Sequence, residues 1–139
     1  MIGALPVAIG ALLLAGLSAH AAETEAVSQA RESAKSWLTL IDEAKYGQSW
    51  DEAASFFKSA VTKADWEKGA RTARAPLGAF KSRKLNSATF VRSLPGAPDG
   101  EYVVIQFQAR FENKAAAVET VTPMREKDGS WKVSGYYIR

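Results

Sequence analysis

The stretch "EYVVIQFQARFE", Glu101 to Glu112, decides how the chain folds. Val103, Ile105, Phe107, Ala109 and Phe111 are apolar and alternate with Tyr102, Val104, Gln106, Gln108 and Arg110. A period of two belongs to a strand, because successive side chains point to opposite faces. One wholly apolar face beside a semi-polar one predicts an antiparallel sheet covered on one side only.

Working outward, "KLNSATFVRSL" (Lys84–Leu94) predicts the preceding strand, joined to this one by the "PGAPDG" turn (Pro95–Gly100). Downstream, "NKAA" (Asn113–Ala116) turns the chain into a third strand, "AVETVTPMREK" (Ala117–Lys127). Asp128-Gly129 predicts a two-residue type I′ hairpin, and "SWKVSGYYI" (Ser130–Ile138) closes the sheet. Strict alternation places Trp131, Val133, Gly135 and Tyr137 on one face of that strand and Lys132, Ser134, Tyr136 and Ile138 on the other. The adjacent tyrosines therefore cannot both line one pocket, and Gly135 marks a bend or bulge.

Before Lys81 the period changes to that of a helix. Val27, Ala30, Ala34, Trp37, Leu38, Ile41 and Ala44 recur at spacings of three and four, with Gly47 as the stop signal. Ser49 reads as the N-cap of a second helix, "WDEAASFFKSAV", whose first turn carries Asp51 and Glu52, where the helix dipole favours carboxylates. Thr62 and Asp65 have capping-box spacing ahead of a third helix, "KADWEKGARTARA", which Pro76 ends. The predicted class is α+β: three N-terminal helices packed on a curved four-stranded antiparallel sheet.

The chain has 139 residues, 47% of them hydrophobic and 24% charged, which suits a single globular domain. Its start, "MIGALPVAIGALLLAGLSAHAAE", carries no charged side chain before Glu23 and reaches small residues at Ala19 and Ala21. That layout predicts a signal peptide over residues 1–21, a domain over residues 22–139, and a periplasmic or secreted protein with no stable membrane anchor after cleavage. The one histidine, His20, would leave with the signal, and there is no cysteine. A Ser-His-Asp or Cys-His mechanism then has no base, and a zinc site lacks its usual ligands. Neither a phosphate-binding Gly-rich loop nor a dinucleotide fingerprint occurs, so no cofactor or metal is expected. Residues 53–84 carry eight basic and two acidic side chains. Such a run can face anionic lipid or polysaccharide, although a solvated helix face is its commoner role. Nucleic acid is not expected as a partner, since no binding motif is present.

The pieces "SWLTLIDEAKYGQSWDEAASFFKSAV", "RAPLGAFKSRKL", "LPGAPDGEYVVIQFQARFENKAAAVETVTP" and "WKVSGYYI", with Trp66 between the first two, together resemble the DUF4019 family of small exported bacterial domains. The resemblance runs from about Ser36 to Ile138, and its most specific parts are the Leu94–Tyr102 turn and the Trp131–Tyr137 ending. It implies an NTF2-like, cone-shaped α+β fold that can leave a pocket, and it implies no activity.

Within such a cone Glu119 and Tyr136 are the candidates for acid–base chemistry of an isomerase or lyase type, as a desolvated carboxylate with a phenol donor. The competing reading is a cross-strand ion pair of Glu119 with Arg110 or Lys132, and a shared face with Arg125 would leave that side wet. Arg74 and Arg83 flank the "APLG" bend, where they could hold an anion or bridge the helix end to the sheet. Trp50, Gln106 and Tyr137 complete the candidate ligand contacts, with core packing the commoner role of a tryptophan. The leading expectation is a non-catalytic module binding a small ligand or an envelope protein. The alternatives are a small Glu/Tyr enzyme and a homodimer formed through the face of Tyr102, Val104 and Gln106.

Overall fold

A computed structural model describes Gly3 and residues 10–139, with side-chain surroundings from Ser18 onward. Of the signal-peptide assignment, residues 1–2 and 4–9 lie outside the described residues. Helix α1 runs over Gly10–Asp42, with Ser18–Glu25 exposed and the first partly buried side chains at Ala26 and Val27. No helix among the described residues is long and apolar enough to cross a membrane. After α1 come α2 (Tyr46–Asp51), α3 (Ser55–Ala60), α4 (Lys63–Arg74) and a 3₁₀ turn (Ala75–Leu77). Four strands follow: β1 (Phe80–Val91), β2 (Tyr102–Phe111), β3 (Lys114–Arg125) and β4 (Trp131–Ile138). They pair in sequence order as an open antiparallel meander, and α1 lies across all four.

The α+β arrangement is as the periodicity predicts, with four helices in place of three. The predicted second helix breaks at Ala53–Ala54, both fully buried, and the Ala54 N–H donates to the Val133 carbonyl of β4 at 2.8 Å. Two methyl side chains let the backbone approach the sheet, and the strand takes an N–H that a continuous helix would have used. Glu126 then accepts from the Ser55 N–H at 2.7 Å, capping α3 from the far hairpin. Ser49 is therefore not an N-cap. It lies buried inside α2, donating to the Tyr46 carbonyl (2.6 Å) and accepting from the Trp66 indole (2.9 Å). Asp51 closes α2 and pairs with Lys63. The first helix stops before Gly47, at Asp42, and the left-handed residue beyond it is Ala44 (φ 59°). Thr62 caps α4 as its spacing predicts, accepting from the Asp65 N–H at 3.2 Å.

The core joins the α1 stripe of Ala30, Ala34, Trp37, Leu38 and Ile41 to Val103, Ile105, Val121, Trp131 and Val133 of the sheet. Every predicted inward residue of β2 is buried or half-buried. Three irregularities bend β1 and β4 and reset their alternation, and a fourth lies on β3 between Lys114 and Ala117. On β1 the extra residues are Lys81 and Asn86; on β4 it is Ser134, beside Gly135. After Ser134 the inward position belongs to Tyr136, while Tyr137 is 55% exposed, the reverse of strict alternation from Trp131. The β3–β4 connection is also not a two-residue turn. Lys127, Asp128 and Gly129 form a three-residue loop, with Glu126 bonded to Ser130 and Gly129 at φ 89°.

Candidate functional site

Where the end of α1 meets α4 and the sheet, five polar side chains converge. Asp42 ends α1, Arg74 ends α4, and Arg83, Glu119 and Tyr136 come from β1, β3 and β4. Their placement follows from local structure. Glu119 alternates inward with Ala117 and Val121. Arg83 turns inward because the Lys81 bulge shifts the phase after Phe80, and Tyr136 because Ser134 does the same on β4. Pro76 ends α4 within reach of all three strands, leaving Arg74 95% buried.

The groups form a closed circuit. Arg83 Nε donates to Glu119 Oε1 (2.5 Å) and its Nη2 to Glu119 Oε2 (3.1 Å). Its Nη1 and Nη2 also donate to the two oxygens of Asp42, each at 3.0 Å. Arg74 Nη2 donates to Asp42 Oδ1 (2.9 Å), and its Nη1 reaches the Tyr136 hydroxyl at 3.5 Å. That hydroxyl donates to Glu119 Oε2 at 2.5 Å. Glu119 is fully buried, while the Asp42 and Arg83 side chains keep 14% and 13% of their surface. Two carboxylates face two guanidinium groups, so the cluster is formally neutral. Aromatic faces complete it, with Phe111 4.6 Å from the Arg74 guanidinium carbon and Phe80 4.3 Å from that of Arg83.

These surroundings fix protonation. Burial would lower the Arg83 pKa, but hydrogen bonds and charge from Asp42 and Glu119 outweigh it and hold the guanidinium more firmly protonated than usual. Burial, the neighbouring Glu119 charge and the bond to it push the Tyr136 phenol far above its ordinary range, so it stays neutral.

The structure thus brings together four sequence candidates, Arg74, Arg83, Glu119 and Tyr136. Of the two roles open to the arginines, it shows the bridge from helix end to sheet. Neither Arg110 nor Lys132 pairs with Glu119: the neighbours of Glu119 across the strands are Phe107 and Ile138, and its charge partners arrive from β1 and α4. Its side of the sheet is dry, since the helices cover it. Trp50, Gln106 and Tyr137 lie elsewhere. Trp50 packs beside α3 with its indole N–H on the Val61 carbonyl (2.9 Å), and Gln106 and Tyr137 flank Thr120 on the outer face. Tyr102 is fully buried, its hydroxyl bonded to the Pro98 carbonyl, leaving Val104 and Gln106 partly exposed on that face.

Asp42 is the member the sequence candidates omit. Its signal is helical spacing, since it lies one turn beyond Leu38 and two beyond Ala34, both buried. A carboxylate at the negative end of a helix dipole is unfavourable alone, and the two arginines supply its compensation.

Beside Arg83 a cleft of about 540 Å³ opens between α1 and the β1 edge. Leu38, Phe80 and Phe107 give it an apolar wall, and Arg31, Glu32 and Lys35 stand on the α1 side. Among the described residues Arg31 and Lys35 make no ion pair, and no His, Cys, Asp or Glu cluster could hold a metal.

Fold and site together define an α+β domain whose buried acid and base groups pair with one another, with the Arg74 Nε left outside the hydrogen-bond circuit. The family model described as a protein of unknown function, DUF4019, matches residues 33–136, and the chain belongs to that family. Comparison with curated proteins returns no match.

Proposed function

We propose that the chain is an exported, NTF2-like module of the bacterial cell envelope that binds a small ligand without transforming it. The observation that carries this reading is the occupancy of Glu119. Oε1 accepts from Arg83, and Oε2 from Arg83 and Tyr136, so neither oxygen faces a reactant. A general base must reach the proton it removes, and this one is enclosed. The α1–β1 cleft is the ligand seat, because its volume lies within the roughly 300–1,000 Å³ range of small-molecule sites and it joins an apolar wall to unpaired cations. It suits an amphipathic anion, with its apolar part on Phe80 and Phe107 and its charge at Arg31 and Lys35.

Mass spectrometry of natively purified protein tests the reading. A co-purifying anion that is lost in the R31E/K35E variant supports it. Recovery of empty protein together with a turnover activity abolished by Glu119→Gln in a variant that still folds would overturn it in favour of the isomerase or lyase alternative.

A further inference from the structure

Among the described residues no helix lies on the outer face of the sheet. Its cross-strand rows can be read from the register: Ser82 beside Arg110, Lys84 beside Gln108 and Val118, and Ser87 beside Gln106, Thr120 and Tyr137. Arg110, Lys84 and Tyr137 are exposed. A groove of about 440 Å³ runs along the first two rows, lined by Ser82, Lys84, Gln108, Arg110, Ala116 and Val118. A second, of about 380 Å³, continues it past Arg110 to Lys81.

Two observations select an occupant. Lys81, Lys84 and Arg110 make no ion pair among the described residues, and the rows contain no carboxylate. The carboxylate at the margin, Glu112 in the β2–β3 turn, is engaged with the Ala79 N–H at 3.3 Å. Among the described residues Tyr137 is the exposed large hydrophobic side chain. A sheet face offering one aromatic plane, two amides and a row of free cations matches a hydroxylated chain that carries regular negative charge. The tyrosine ring packs on a sugar face, as an amphipathic aromatic does at interfaces. The amides pair with ring hydroxyls, and the cations meet the acidic groups. A bilayer surface is a poorer match, because membrane-lying faces present several protruding apolar residues and this one presents a single tyrosine.

We infer that the outer sheet face binds an acidic polysaccharide, with Tyr137, Gln106 and Gln108 reading the sugar and Lys81, Lys84 and Arg110 its charge. This face and the α1–β1 cleft lie on opposite sides of the sheet, so the two sites stand or fall separately. Affinity electrophoresis of the full chain through gels containing polygalacturonate or uncharged dextran tests the inference, beside co-sedimentation with phosphatidylglycerol vesicles. Retardation should occur in polygalacturonate alone and weaken as salt screens the charges. It should fall at least about tenfold in K84E/R110E and severalfold in Tyr137→Ala, the tenfold equalling loss of about 1.4 kcal/mol. The charge-matched K68E/K127E variant, altered away from this face, should migrate as the parent does. All these positions are exposed, so circular dichroism should be unchanged. No retardation, equal retardation in dextran, equal loss in K68E/K127E, or binding to the vesicles alone would each overturn it.

Discussion

Replacing Glu119 by Gln tests whether the buried cluster is an integral part of the fold. The amide keeps the shape but removes one negative charge, so Asp42 is left to balance both Arg74 and Arg83 in a site where Arg74 is 5% exposed and Glu119 not at all. It also presents NH₂ donors to guanidinium N–H groups and to a phenol that now has one acceptor fewer. Removing one partner of a buried ion pair typically costs about 3–5 kcal/mol, because the other charge stays desolvated and uncompensated. For a domain of this size each kcal/mol lowers Tm by about 4 °C, so the expected fall is roughly 12–20 °C. Urea unfolding followed by tryptophan fluorescence reads the change directly, since Trp37 packs on both Trp66 and Tyr136. The double variant R83M/E119Q restores neutrality, leaving Asp42 against Arg74, and should lie well above the sum of its single variants. A Glu119→Gln loss within about 1 kcal/mol of zero, or simple additivity in the double variant, would refute the coupling that the geometry implies.

Tyr136 gives the cluster a pH signature. Its folded-state pKa is raised, so above its ordinary pKa near 10 the unfolded chain loses a proton that the folded chain keeps, and stability falls as pH rises by up to about 1.4 kcal/mol per unit. Tyr136→Phe should flatten that alkaline decline in equilibrium unfolding while costing about 1.5–3 kcal/mol at neutral pH, the usual worth of a hydrogen bond to a charged group. Ser49→Ala leaves the half-buried Trp66 indole N–H without its acceptor and should cost about 1–3 kcal/mol, read as a lower urea midpoint. Gly78 sits at φ 73° and ψ −159°, a region essentially reserved for glycine, and a Cβ there would lie 2.9 Å from Asn113 and 3.0 Å from Glu112. Gly78→Ala should therefore cost about 1–3 kcal/mol in thermal unfolding, and more than Gly129→Ala, whose added Cβ meets nothing nearer than 3.6 Å.

Most of the architecture is legible because it depends on long runs with one period. The β2 alternation and the α1 stripe each repeat a single rule over ten residues or more, and burial follows both. The helix ends were harder to read because their determinants are distant. Val133 accepts the N–H that splits the predicted second helix, and Glu126 caps the fragment, yet both lie over seventy residues downstream of the residues they hold. Local chemistry that closes within a few residues, as at Thr62 and Pro76, was readable.

The failures of alternation and the location of the polar cluster share one cause. With Phe80 inward, an unbroken β1 would turn Ser82 to the core and Arg83 to solvent; the extra residue at Lys81 reverses that. With Val133 inward, an unbroken β4 would bury Tyr137 and expose Tyr136; the extra residue at Ser134 reverses that too. Each bulge forfeits a regular ladder step and delivers one polar side chain to Glu119. An apolar plug at the same place would be at least as stable in general, since buried ion pairs rarely surpass hydrophobic packing. What the charged set adds is direction. Arg83 fits its two carboxylates through fixed N–H geometry, so α1, β1 and β3 have one relative register in which all its bonds form. Departures from period two are therefore where this sheet encodes how the helices seat on it, and they are invisible to any reading that assumes the period holds.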